Sequence, residues 1–266
     1  MIRDLMIGQY YEAGSVIHRL DPRMKLAGTM LYIISLFTFR NFYAYAVVTA
    51  FLLSVIVLAK IPFKVLFRGM KPIIMLLVIT MFFNLFLSSG ETVLWKWGIL
   101  KITTEGIQSA VFLGMRLIYL ILGSSILTYT TTPNHLTDGL ERSLHWMTHI
   151  KVPVHEVAMM MSLALRFIPI LLEELDKIMK AQQARGAVFD QGNIIKRLKS
   201  LLPVLIPLFI SAFRRADELA NAMEARCYTG GEGRTKMKPL KYHGRDAVGY
   251  LIVIVYLAIV ILVGRL

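Results

Sequence analysis

The sequence predicts an all-α polytopic membrane protein with about five transmembrane helices and a cytoplasmic region of long helices. Three observations predict it. First, 56% of the 266 residues are hydrophobic, above the roughly 45–50% usual for soluble domains. Second, the excess lies in runs: residues 42–59, 72–90, 117–134 and 247–264 each lack any charge. A helix needs about 20 mostly apolar residues to cross about 30 Å of hydrocarbon. Third, lysine and arginine alternate between the connections, as they do when cytoplasmic loops collect positive charge.

The elements follow in order. Residues 1–22 are polar, with Arg3, Asp4, Glu12, Arg19 and Asp21, and lack the apolar stretch of a signal peptide. Asp21-Pro22-Arg23 reads as a turn and helix start, with Pro22 early in the helix. Residues 26–39 form a shorter run, which spans if tilted or flanked by snorkelling side chains. Arg40 alone marks the next turn, whereas Lys60, Lys64, Arg68 and Lys71 crowd the connection after the second run. In 91–105, Lys96 and Lys101 are offset by Glu91 and Glu105. Residues 135–245 then carry 17 Lys and Arg. The N-terminus is therefore expected inside, followed by four crossings, a cytoplasmic insertion and a fifth crossing. The expected regions are 1–134, 135–242 and 243–266. The net charge of +13 is accounted for by the same rule and calls for no nucleic-acid partner. Cys227 is the only cysteine, so no intrachain disulfide forms.

Within the insertion, Thr130-Thr131-Thr132-Pro133-Asn134 ends the fourth span, because a residue before proline disfavours helix. An amphipathic stretch, 136–149, is followed by a break at Val152-Pro153. Two long helices are predicted, from Val154 to about Arg185 and from Ile194 to about Arg226. The first is closed by the break Gly186 to Gly192, the second by Gly230, Gly231 and Gly233. Each is apolar in its first half and polar in its second, and Pro169, Pro203 and Pro207 interrupt the apolar halves. Such helices are expected along the membrane surface or against the bundle, with polar ends in the cytosol.

Those ends carry a repeat. Ala184-Arg185-Gly186 recurs 41 residues later as Ala225-Arg226-Cys227, and Asp176 and Ala181 match Asp217 and Ala222 at the same offset. A helix C-terminus bears unpaired carbonyls and partial negative charge, so a cation there is stabilised. One such end is an ordinary helix stop. Two, each with alanines at i and i+3, make slim tips able to enter a groove, where arginine offers a planar fork of donors. Cys227 stands where the first copy has glycine. A side chain disfavours a left-handed cap, so the second helix is expected to run slightly further.

Other constellations carry less. His145 and His149 have one-turn helical spacing near His155 and Glu156, but two histidines are insufficient for zinc and no His-Glu-x-x-His motif is present. Glu173, Glu174 and Asp176 are interspersed with Lys177 and Lys180, as on a solvated, ion-paired face. Arg116 interrupts the fourth apolar stretch; an intramembrane arginine either works in transport or packs inside a bundle. The 15 methionines, Met159 to Met161 among them, suit core filling or an adaptable surface. No phosphate-binding loop, nucleophile elbow or triad appears, so no catalytic residue, metal or cofactor is assigned.

Several motifs together resemble the transmembrane T component of energy-coupling factor transporters, a branch of the ATP-binding-cassette importers. They are His18-Arg19-Leu20-Asp21-Pro22-Arg23-Met24-Lys25-Leu26, Thr130-Thr131-Thr132-Pro133 and Leu165-Arg166-Phe167-Ile168-Pro169. Ala181-Gln182-Gln183-Ala184-Arg185-Gly186, Ala222-Met223-Glu224-Ala225-Arg226-Cys227-Tyr228 and Gly233-Arg234-Thr235 complete the set. The resemblance implies a non-catalytic coupling subunit of a vitamin or micronutrient importer in a prokaryotic plasma membrane. It implies that Ala184, Arg185 and Gly186 contact one ATPase subunit and that Ala225, Arg226 and Cys227 contact a second. It also implies a separate membrane-embedded substrate-binding S component. Two alternatives stand beside it: an intramembrane metal-dependent enzyme built on His145, His149 and Glu156, and an ATP-independent porter using Arg116.

Overall fold

The computed structural model describes residues 10–39, 41–87, 93–97, 100–187, 189, 193–231, 237 and 239–265. Arg3, Asp4, Arg40, Glu91, Gly192 and the Gly233-Arg234-Thr235 motif lie outside them. Among the described residues the chain is all-α apart from one small hairpin. The helices are α1 (Pro22–Ser35), α2 (Phe42–Ala59), α3 (Phe63–Leu87), α4 (Thr104–Thr130), α5 (Pro133–Ser143), α6 (Val154–Ala184), α7 (Ile194–Glu224) and α8 (Gly244–Gly264). Strands β1 (Val93–Trp97) and β2 (Leu100–Thr103) pair antiparallel, with Trp97 opposite Leu100. Among the described residues, α2, α4, α6 and α8 are each long and apolar enough to cross a membrane. The bent α3 supplies a fifth candidate: its parts Phe63–Lys71 and Ile73–Phe86 meet at 63°, with Pro72, which lacks an N–H donor, at the join. The protein is thus a multi-pass membrane protein with four to five candidate spans. Their membership differs from expectation. Helix α1 has 14 residues, about 21 Å at 1.5 Å per residue, whereas α6, expected along the surface, contains a window that qualifies.

The chain divides into two compact units, Gly8–Leu140 with Leu240–Leu266 and Glu141–Pro239. In the first, α1, α2, α4 and α8 pack together and α3 packs on α4. Its core is aromatic: Phe51 stacks on Tyr256 at 4.1 Å, and Tyr45 stacks on Phe112 at 5.4 Å. Their polar tips are satisfied inside the bundle, as an apolar solvent demands. Tyr45 donates to the Phe112 carbonyl at 3.3 Å, and the Ser35 and Tyr256 hydroxyls lie 2.9 Å apart.

Arg116 sits in this bundle. One of its terminal nitrogens donates to the Phe39 carbonyl at 3.3 Å, and its guanidinium lies 5.3 Å from the Phe37 ring centre. It satisfies backbone at the end of α1, a packing role, and no carboxylate pairs with it among the described residues.

The Asp21-Pro22-Arg23 and Thr130–Pro133 motifs meet in a polar knot. Asp21 caps α1 by accepting from Arg23 N at 2.9 Å and pairs with the Arg23 guanidinium at 3.1 Å. The Asp21 amide donates at 2.8 Å to Asp246, 225 residues away, and Asp246 also accepts from His243 N at 2.7 Å to box the start of α8. Lys25 donates to the carbonyls of His18 at 3.1 Å and Thr130 at 2.9 Å. It precedes the apolar run 26–39, and burial pushes its ammonium down to about 8, against the opposing pull of Asp21 and Asp246. The knot ties α1, α4 and α8 at one level of the bundle.

In the second unit, residues 145–150 form a 3-10 turn, not the helix expected through His149. A 3-10 turn eclipses positions i and i+3, so His145 and His149 do not share a face. His155 bonds Glu141 at 2.9 Å, and no group of three His, Cys, Asp or Glu converges among the described residues.

Candidate functional site

The matched helix ends are the candidate site. Helix α6 ends at Ala184, α7 at Glu224, and each is 31 residues long. At the first end, Gly186 N donates to Gln183 O at 2.9 Å and Ala187 N reaches back to Gln182 O at 2.9 Å. At the second, Cys227 N donates to Glu224 O at 2.8 Å and Tyr228 N to Met223 O at 3.0 Å. Each partner lies 41 residues from its counterpart, so the repeat extends to individual hydrogen bonds. The six-to-one bond with a left-handed residue inside it is the Schellman closure.

Gly186 occupies that left-handed position at φ +88°, and Cys227 takes it at φ +55°. The expected extension of α7 therefore does not occur: the main-chain bonds hold Cys227 in the conformation that its side chain disfavours. Beside each left-handed residue stands an arginine, Arg185 or Arg226, where the chain leaves the helix. Ala184, Arg185, Gly186, Ala225, Arg226 and Cys227 are all exposed. Neither arginine makes an ion pair among the described residues. Each end thus presents an exposed cation on a slim, closed helix terminus, and the guanidinium donors suit carboxylates or carbonyls.

The two helices pack on each other in opposite directions. Glu174 on α6 accepts from Arg215 on α7 at 2.9 Å and from the Ser211 hydroxyl. Further along α6, Gln182 donates at 3.2 Å to Pro203 O, earlier in α7. Positions 174 and 215 are themselves 41 apart, so the ion pair joins equivalent sites of the two copies. Each arginine tip lies 11 residues past this pair, in opposite directions. At 1.5 Å per residue the tips stand up to about 33 Å apart.

Sequence reasoning missed the face between them. Leu198, Leu202, Ile206, Phe209 and Phe213 recur every three or four residues along α7, and all are at least 50% exposed. This is an amphipathic stripe whose periodicity was available in the sequence, masked there by Pro203 and Pro207.

Comparison with known proteins agrees with this architecture. The family model described as cobalt transport protein matches residues 13–237. An energy-coupling factor transporter transmembrane protein of Ruminiclostridium cellulolyticum is 52% identical over 262 residues, 98% of each chain. Its counterpart in Clostridium kluyveri is 50% identical over 98% of this chain and 97% of its own. That of Bacillus subtilis is 45% identical over 92% and 93%. The multi-pass helices, the knot and the paired ends sit in a chain that belongs to the family of energy-coupling factor transporter transmembrane proteins.

Proposed function

We propose that this chain is the coupling subunit of an ATP-driven micronutrient importer of the prokaryotic cell membrane. Arg185 and Arg226 dock into two ATP-binding-cassette ATPase subunits on the cytoplasmic side. The observation that carries this reading is the duplicated closure: two helix ends with the same hydrogen bonds, the same exposed arginine and opposite directions. Two similar plugs held up to about 33 Å apart suit two similar sockets. The chain has no phosphate-binding loop, so hydrolysis falls to the partners and movement reaches the membrane through α6 and α7. The exposed stripe on α7 suits a membrane-embedded S component that captures the substrate, since large uncovered apolar patches mark interaction surfaces. The charge pattern of the loops supports an N-terminus and a region 135–242 on the cytoplasmic side.

Charge reversal tests the reading. Losing a hydrogen bond to a charged group costs about 1.5–3 kcal/mol, a roughly tenfold to hundredfold weaker contact. Arg185→Glu and Arg226→Glu in the reconstituted complex should each cut substrate uptake by at least tenfold while the free ATPases keep their basal turnover. Each should be worse than the alanine variant, because a carboxylate also opposes the helix dipole. Normal assembly and uptake in both variants would refute the proposal.

A further inference from the structure

A cavity of about 330 Å³ opens among α1, α2, α4 and α8, within the first unit. Its lining is mostly apolar, interrupted by Thr29, Tyr32, Ser54 and Thr130 and by Lys25 and Arg245 at one end, and it runs from Arg245 to Val253 along α8, about 12 Å at 1.5 Å per residue. Gly28 and Gly249 line it where α1 meets α8, and their bare backbones let the two helices approach closely: a Cβ at Gly249 would meet Met24 and one at Gly28 would touch Val253. Its volume is at the lower end of the roughly 300–1,000 Å³ typical of small-molecule sites.

The polar end is cationic. Arg245 lines it, is exposed and makes no ion pair among the described residues. Lys25 also lines it and is 7% exposed. An ammonium has three donors, and two of them go to the His18 and Thr130 carbonyls. The nearby charges are Arg23, paired with Asp21, and Asp246, occupied by two backbone amides. Three cations against two carboxylates leave this end net positive. An apolar slot among membrane helices, with a cationic mouth, complements a molecule with an acyl chain and an anionic head.

We infer that this cavity binds one anionic glycerophospholipid, its acyl chain in the slot among α1, α2, α4 and α8 and its phosphate at Arg245 and Lys25. Basic pockets between transmembrane helices bind such head groups. The phosphate supplies the acceptors that Arg245 and the third Lys25 donor lack, and the chain fills space that would otherwise cost packing contacts.

The test is native mass spectrometry and thermal stability of the full chain in detergent, with phosphatidylglycerol, phosphatidylcholine or glycerol phosphate added. Phosphatidylglycerol should bind one per chain at least tenfold more tightly than phosphatidylcholine and raise the melting temperature further. Arg245→Ala should bring it to the level of phosphatidylcholine. Thr29→Phe, or the milder Val55→Met if that variant does not fold, should weaken both lipids by filling the slot. Equal binding of the two lipids, unchanged binding in Arg245→Ala or in the filled variant, or an equal effect of glycerol phosphate alone would each overturn the assignment.

Discussion

Replacing Cys227 by glycine isolates the one difference between the two helix ends. An L-residue in the left-handed region pays about 1–2 kcal/mol, from the clash of its Cβ with the following carbonyl. Glycine avoids that clash but gives back about 0.5–1 kcal/mol through the freedom of the unfolded chain. The net gain expected for Cys227→Gly is about 0.5–1 kcal/mol in the closure of α7. The reciprocal change is equally clean, since a Cβ added at Gly186 would meet no atom within 4 Å. Gly186→Ala therefore costs only its backbone term, about the same amount with opposite sign. Amide hydrogen exchange reads these local openings directly. The Tyr228 amide, bonded to Met223 O at 3.0 Å, should exchange about two- to fivefold more slowly in Cys227→Gly. The Ala187 amide, bonded to Gln182 O at 2.9 Å, should exchange faster by a similar factor in Gly186→Ala. Unchanged or faster exchange at Tyr228 would refute the account of the second end as a strained copy of the first.

Two further outcomes follow from contacts elsewhere. Glu174→Ala removes the acceptor shared by Ser211 and Arg215; with the Glu174 side chain 24% and the Arg215 side chain 38% exposed, the loss is about 1 kcal/mol. The distance distribution between spin labels at positions 185 and 226 should broaden, and an unchanged distribution would show that this pair does not set the spacing of the tips. In the bundle, a Cβ at Gly123 would overlap the edge of the Tyr32 ring, and one at Gly249 meets the flexible end of Met24. Gly123→Ala should destabilise by about 1–3 kcal/mol and Gly249→Ala clearly less, measured as melting temperatures in detergent; equal losses would contradict the packing around Tyr32.

Much of this was legible because membrane solvent writes simple rules into sequence. The charge-free runs locate α2 and α8 to within three residues, since hydrocarbon tolerates few charges. The same rule misplaces the starts of α3 and α4. Lys64, Arg68 and Lys71 belong to the first turns of α3, and α4 begins at the Thr103 cap, which accepts from Gly106 N at 3.1 Å. A run that ends at a charge cannot see a helix that continues through one. The 41-residue offset revealed both tips, but not the geometry of Cys227, because propensity weighs one residue whereas the closure is held by several backbone bonds. The bond from the Asp21 amide to Asp246 joins positions 225 apart with no periodicity to announce it. The cavity belongs to packing, which a single sequence does not record.

The two ends also show which features of the motif matter physically. Alanine and arginine recur, yet glycine does not, and the same bonds form with cysteine in its place. What recurs is a geometry: an arginine on the last turn, followed by a left-handed residue that folds the chain back onto a carbonyl five residues earlier. That reversal removes the following backbone from the helix axis and leaves the arginine at the leading edge. Glycine makes the reversal cheap, and cysteine makes it strained and adds a polarisable side chain at the rim. The invariant part of each plug is thus its arginine and closed terminus. The variable part is the residue flanking the cation, glycine at the first end and cysteine at the second.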